Sequence, residues 1–96
     1  MKIGSISENL NSEKRISLTP ELSKKYLDLG VEIFISKNYG VHLGFHDIDY
    51  KEKGVQILNS INEVINNCNC LLQINLPEMD FIEKLRENTS LILFNI

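Results

Sequence analysis

Thr19-Pro20-Glu21-Leu22-Ser23-Lys24-Lys25-Tyr26-Leu27-Asp28-Leu29-Gly30-Val31-Glu32-Ile33-Phe34-Ile35 is the stretch from which the fold can be read. Thr19 can cap free backbone N–H groups, Pro20 suits the first helical position, and Glu21 complements the positive helix end. Leu22, Tyr26 and Leu29 recur at helical spacing and predict a buried stripe. Gly30 is the stop, because glycine readily takes the left-handed conformation that ends a helix. Val31 to Ile35 is β-branched and aromatic and predicts a strand. A helix delivered directly into a strand is half of a βα repeat.

The rest of the chain repeats that alternation, without internal repeats or low-complexity runs. Residues 2–6 predict a first strand and Ser7–Leu18 a polar loop. Asn38–Gly44 reads as a glycine-containing loop. Asp47 is placed to cap a short helix through Lys53, ended by Gly54, and Val55–Leu58 is a third strand. Ser60-Ile61-Asn62-Glu63 matches a capping box, with Ile61, Val64 and Ile65 as the apolar face of the helix that follows. Leu71–Asn75 predicts strand four, broken by Pro77. Residues 79–87 form an amphipathic pattern using Phe81, Ile82 and Leu85, and Ser90–Phe94 is strand five. Short apolar strands alternating with amphipathic helices predict an α/β domain with a mostly parallel sheet. Right-handed crossovers and short connections favour the strand order 3-2-1-4-5, a three-layer flavodoxin- or Rossmann-like architecture. The apolar run Leu91–Phe94 comes just before Ile96 with no covering element after it, so the expected domain is a truncated one. A terminal strand serving as an ordinary sheet edge is the alternative.

Composition excludes several roles. A 43% apolar, 24% charged chain of 96 residues is an ordinary globular sequence of at most one domain. A net charge of -3 and a pI near 5.3 argue against a nucleic-acid surface. No segment reads as a membrane span or a signal peptide, so a cytosolic domain is expected. Cys68 and Cys70 fit neither a redox nor a zinc spacing. In a strand they would share a face, as buried thiols.

In open α/β sheets, ligands lie at the carboxyl ends of the strands beside the point where strand order reverses. Here that point falls between strands one and four and brings forward Glu8, Glu13, Lys14, Arg15, Gln73 and Asn75. Arg15 carries a rigid fork matched to a carboxylate, with Lys14 beside it as a point charge. A solvated Arg15, or one paired with Glu8 or Glu13, is the competing reading. Gln73 offers amide donors and an acceptor for a polar ligand, or for backbone at the strand end. His42 and His46 are four residues apart, but the glycines at 40 and 44 make a loop the natural reading, and no metal site is assigned. Nowhere do the five glycines form G-x-G-x-x-G, so no dinucleotide cradle is encoded here.

Glu13-Lys14-Arg15-Ile16-Ser17-Leu18-Thr19-Pro20 resembles the N-terminal signature of alanine dehydrogenases and NAD(P) transhydrogenase alpha subunits. The likeness extends to Lys2-Ile3-Gly4 and Glu8, and to Leu29-Gly30-Val31-Glu32-Ile33. It continues through Gly40 and Phe45, Lys53-Gly54-Val55-Gln56-Ile57, and Leu71-Leu72-Gln73-Ile74-Asn75-Leu76-Pro77. The resemblance implies that Arg15 holds a substrate carboxylate in the dehydrogenases. It places Gln73 where the family has a substrate-contacting lysine. A glutamine cannot polarise a 2-oxo acid as a cation, and a transhydrogenase needs no such lysine, so the resemblance favours the transhydrogenase alpha subunit. Residues 1–96 would then be the first part of its N-terminal domain, with the nucleotide-binding Rossmann domain beyond residue 96. By that resemblance the full protein uses NAD(H) and NADP(H), couples hydride transfer to proton translocation, and is a homo-oligomer. It lies peripherally at the inner membrane through membrane-embedded partner subunits, and the 96-residue chain alone would be inactive. An alanine or related amino-acid dehydrogenase and a non-enzymatic flavodoxin-like binding module are the alternatives.

Overall fold

The computed structural model describes residues 1–85 and 89–93. Its backbone alternates strand and helix: β1 (Lys2–Ser5), α1 (Pro20–Asp28), β2 (Glu32–Ser36), a 3-10 turn (Val41–Leu43), α2 (Asp47–Lys51), β3 (Gln56–Leu58), α3 (Ile61–Asn67), β4 (Cys70–Gln73), α4 (Met79–Glu83) and β5 (Ser90–Leu93). The five strands form one sheet in the order β3-β2-β1-β4-β5, and every adjacent pair is parallel. The fold class and strand order expected from the alternation are those observed.

Strand alternation sorts the core into two layers. Ile3, Ile33, Ile35, Cys70 and Leu72 face one side and pack with Leu18, Tyr39, Tyr50 and the half-buried Leu22, Tyr26 and Leu27. Phe34 and Leu71 face the other, with Ile6, Val64 and Cys68. Hence α1 and α2 cover one face and α3 the other. The thiols of Cys68 and Cys70 therefore stand on opposite faces, contrary to expectation, because the strand begins only at Cys70.

Helix caps act locally as read. Thr19 Oγ1 accepts the Leu22 N–H at 3.1 Å, and Ser60 Oγ accepts that of Glu63 at 3.2 Å. Gly30 leaves α1 at φ +89°. Leu29, expected on the buried stripe, is instead 79% exposed. It lies at the helix C-cap, where the chain has left helical phase, and Leu27 packs in its place. Asp47 does not cap α2. His46 takes that position and donates its N–H to Asp49 Oδ2 at 2.8 Å, while the Asp47 carboxylate accepts the Asn38 N–H at 2.8 Å. Arg86, Glu87 and Phe94, expected to end the last helix and strand, lie outside the described residues. β5 forms one edge of the described sheet and β3 the other, and Ile92 and Leu93 on β5 are nearly half exposed.

Candidate functional site

The order reversal sets the carboxyl ends of β1 and β4 side by side, and a cavity of about 570 Å³ opens there. Glu8, Asn9, Asn11, Gln73, Asn75 and Glu78 supply most of its polar lining, and Leu76, Pro77 and Phe81 its apolar part. Two strand ends that diverge leave backbone groups without a ladder, and side chains take them up.

Gln73 is 1% exposed and acts as a surrogate peptide group. Its Oε1 accepts the Ile6 N–H at 2.8 Å, and its Nε2 donates to the Ile6 carbonyl at 3.0 Å. The same Nε2 donates to Glu8 Oε2 at 2.8 Å. The buried Glu8 carboxylate also accepts the N–H groups of Ile74 at 2.9 Å and Asn75 at 3.2 Å. β1 and β4 therefore end sooner than the apolar runs suggest. Beyond Ser5 and Gln73 the backbone bonds side chains, not a neighbouring strand.

The signature loop contributes differently. The Glu13 carboxylate accepts Arg15 Nε at 2.7 Å, Nη2 at 2.7 Å and the Arg15 backbone N–H at 3.0 Å. The fork of Arg15 is thus already on a carboxylate, with its side chain 54% exposed. Of the six residues brought forward by the sequence, Glu8, Gln73 and Asn75 meet at the cavity. Glu13, Lys14 and Arg15 stand outside its lining. His42 does not pair with His46; its Nε2 donates to the Lys14 carbonyl at 2.7 Å. Sequence reasoning missed Tyr39, whose buried hydroxyl lies 2.7 Å from Ser5 Oγ. Burial raises that phenol to about 12. No local pattern marks it, since its partners lie more than 20 positions away.

The side-chain and backbone hydrogen bonds from Arg15 hold the Glu13 carboxyl down from 4.5 to about 2. A carboxylate depressed on folding contributes stability above its unfolded value, and that contribution disappears as pH falls through the folded one. The Glu13 carboxyl resonance should therefore titrate near pH 2 and return toward the ordinary range in Arg15→Ala. A native midpoint of 4 or above would show that the ion pair does not form in solution.

An all-parallel sheet with helices on both faces and a polar crevice at its switch point defines the open α/β class of domain. Within that class, the chain belongs to the family described as alanine dehydrogenase/PNT, N-terminal domain, whose model matches residues 4–95. It is 31% identical over 94 residues to the NAD(P) transhydrogenase subunit alpha of Cereibacter sphaeroides, covering 98% of this chain and 18% of that protein. A solved L-alanine dehydrogenase superposes with TM-score 0.80 at 26% identity, over 95% of this chain and 25% of that one. A transhydrogenase from Sinorhizobium meliloti superposes with TM-score 0.87 at 18% identity, over 97% and 27%, and shows the shared fold. The family is one of oxidoreductases, and this chain spans about a fifth to a quarter of the length of these relatives.

Proposed function

We propose that these residues open the first lobe of an NAD(P) transhydrogenase alpha subunit, in which hydride passes between NAD(H) and NADP(H). The observation that carries this reading is the use made of Gln73. Its amide both donates to and accepts from Ile6, and a lysine has no acceptor with which to replace it. The position where the resemblance expects a substrate-contacting cation is thus committed to joining two strands. The described lining of the cavity holds two carboxylates, Glu8 and Glu78, and no Lys, Arg or His. A 2-oxo acid brought there would face like charges in a partly desolvated space.

The same charges disfavour a dinucleotide diphosphate, and no glycine-rich turn follows β1. These residues alone do not fit NAD(H) or NADP(H). The reading assigns the nucleotides to other parts of the protein and gives this segment a framing role at the cleft, without activity of its own. It also implies a homo-oligomer held at the cytoplasmic side of the inner membrane by membrane-embedded subunits. Among the described residues, no helix is long and apolar enough to cross a membrane.

One observation favours alanine dehydrogenase instead: Arg15 grips the Glu13 carboxylate in the bidentate geometry a substrate carboxylate would use. The full protein with its partner subunits decides between the two. The expected result is NADPH-driven reduction of an NAD analogue in membranes, with no NADH oxidation on adding pyruvate and ammonium. Pyruvate-dependent NADH oxidation without transhydrogenation would overturn the proposal in favour of the dehydrogenase.

A further inference from the structure

β1 and β2 are adjacent and parallel, so the connection after β2 lies beside the segment that carries Arg15. Tyr39 leads it. Its hydroxyl accepts the backbone N–H groups of Ser17 at 3.1 Å and Leu18 at 3.2 Å. Ser5 Oγ lies 2.7 Å from that hydroxyl and 2.7 Å from the Leu72 carbonyl. The Leu72 carbonyl and Gln73 Oε1, 3.2 Å from the same Oγ, can only accept, so the Ser5 proton goes to these oxygens and the phenol proton to Ser5. Two bonds accepted and one donated leave the Tyr39 hydroxyl fully engaged.

Tyr50, from α2, donates its hydroxyl to the Leu18 carbonyl at 2.8 Å, so Leu18 is held at both its N–H and its C=O. The two rings meet edge to face, their centroids 5.9 Å apart and their planes at 81°. Gly40 makes the approach possible, since a Cβ there would lie 2.7 Å from the Tyr50 hydroxyl. On the other flank of Arg15, His42 donates to the Lys14 carbonyl at 2.7 Å. The backbone of 14–18 is therefore gripped at both ends by side chains from 39–50, and none of these bonds involves the Arg15 guanidinium.

We infer that Tyr39, His42 and Tyr50 are positioning residues, a clamp on the backbone of Lys14–Leu18 that fixes where Arg15 stands. Polar side chains could hold this loop in many ways. What distinguishes the arrangement is that both tyrosine hydroxyls are spent on two adjacent residues and the histidine on a third, leaving Glu13 and Arg15 to set the guanidinium within a fixed frame. The consequence for ligand binding rests on the dehydrogenase alternative, in which Arg15 would hold a substrate carboxylate; the clamp itself does not.

The test is amide hydrogen exchange in the full-length protein, with Tyr39→Phe, Tyr50→Phe and His42→Ala. Losing one buried acceptor should speed exchange at Ser17 and Leu18 by about ten-fold in Tyr39→Phe, with Ile33 and Ile35 unchanged. His42 is exposed, so His42→Ala should fold normally; it frees the Lys14 carbonyl, and the loosened peptide should speed exchange at the Arg15 N–H, which Glu13 accepts, with the strand amides unchanged. Uniform acceleration across β1 and β2, or no change at 14–18 in His42→Ala, would overturn the clamp. Hydride transfer by the same variants and by Arg15→Lys is measured in parallel. Localised exchange with an unaltered KM would support the clamp and remove the ligand role of Arg15, so the two ideas fail separately.

Discussion

Replacing Glu8 by alanine should lower the midpoint of thermal unfolding by roughly 10–20 °C. Three N–H groups converge on this one carboxylate, from the Gln73 side chain and from the backbones of Ile74 and Asn75. Two effects oppose each other. Holding a carboxylate at 7% exposure without a cation partner among its described bonds costs desolvation, and alanine would relieve that cost. Against this, alanine removes three charge-assisted bonds and leaves the buried Ile74 N–H without an acceptor, each worth on the order of 1–3 kcal/mol. Water can reach Asn75, which is exposed, and Gln73 keeps its bond to the Ile6 carbonyl. The net loss is therefore about 2–3 kcal/mol, which for a domain of this size is a large fraction of its total stability. Glu8→Gln, which keeps one acceptor oxygen but turns an NH2 toward the other donors, should fall between the two. Calorimetry on the three proteins checks this order. A Glu8→Ala midpoint within about 2 °C of the parent would mean that the β1–β4 junction is held by Gln73 alone.

The junction also shows where sequence reading succeeds and where it stops. Thr19-Pro20, Ser60-x-x-Glu63 and Gly30 were legible because a cap or a helix stop is decided by residues within about one turn. The strand order was legible because the handedness and length of connections leave few ways to join five strands. Arg15 with Glu13 was legible as a possibility, since they are two residues apart, but spacing could not say whether the fork faces its neighbour or a ligand. Gln73 and Glu8 are 65 positions apart, and their bond exists only because β1 and β4 adjoin. Tyr39 was invisible for the same reason. Its partners Ser5 and Ser17 come from two other segments, and nothing near position 39 signals a buried hydroxyl. Leu29 failed differently. Its spacing was helical, but the helix ended one residue earlier, and the phase of a stripe means nothing past the cap.

Gly4→Ala carries the other large effect, through packing. A Cβ at position 4 would lie 2.8 Å from Cys68 Sγ, 2.9 Å from Cys68 Cβ and 2.9 Å from Val64 Cγ1. Real Cβ atoms essentially never come within 3.0 Å of such neighbours, so something must move. Position 4 is in β1, the central strand, paired with Phe34 on one side and Leu71 on the other, so its backbone is fixed by both ladders. Val64 and Cys68 are both fully buried, and Val64 is stiff at χ1, so α3 would have to lift as a unit. Alanine gains about 0.5–1 kcal/mol over glycine within a strand. Overpacking of this kind costs about 1–3 kcal/mol, and more where the neighbours cannot yield. The cost wins, and the expected fall in thermal midpoint is roughly 10 °C. The same geometry predicts a rescue. Gly4→Ala with Cys68→Ala removes the nearest atom, Sγ, but leaves Cys68 Cβ and Val64 Cγ1 each 2.9 Å away, so it should recover only part of the loss, although Cys68→Ala alone is destabilising through the void it leaves. That non-additivity separates a clash at Cys68 from a general intolerance of side chains in β1. If the double variant melts at the sum of the two single losses, α3 does not rest on Gly4 as described.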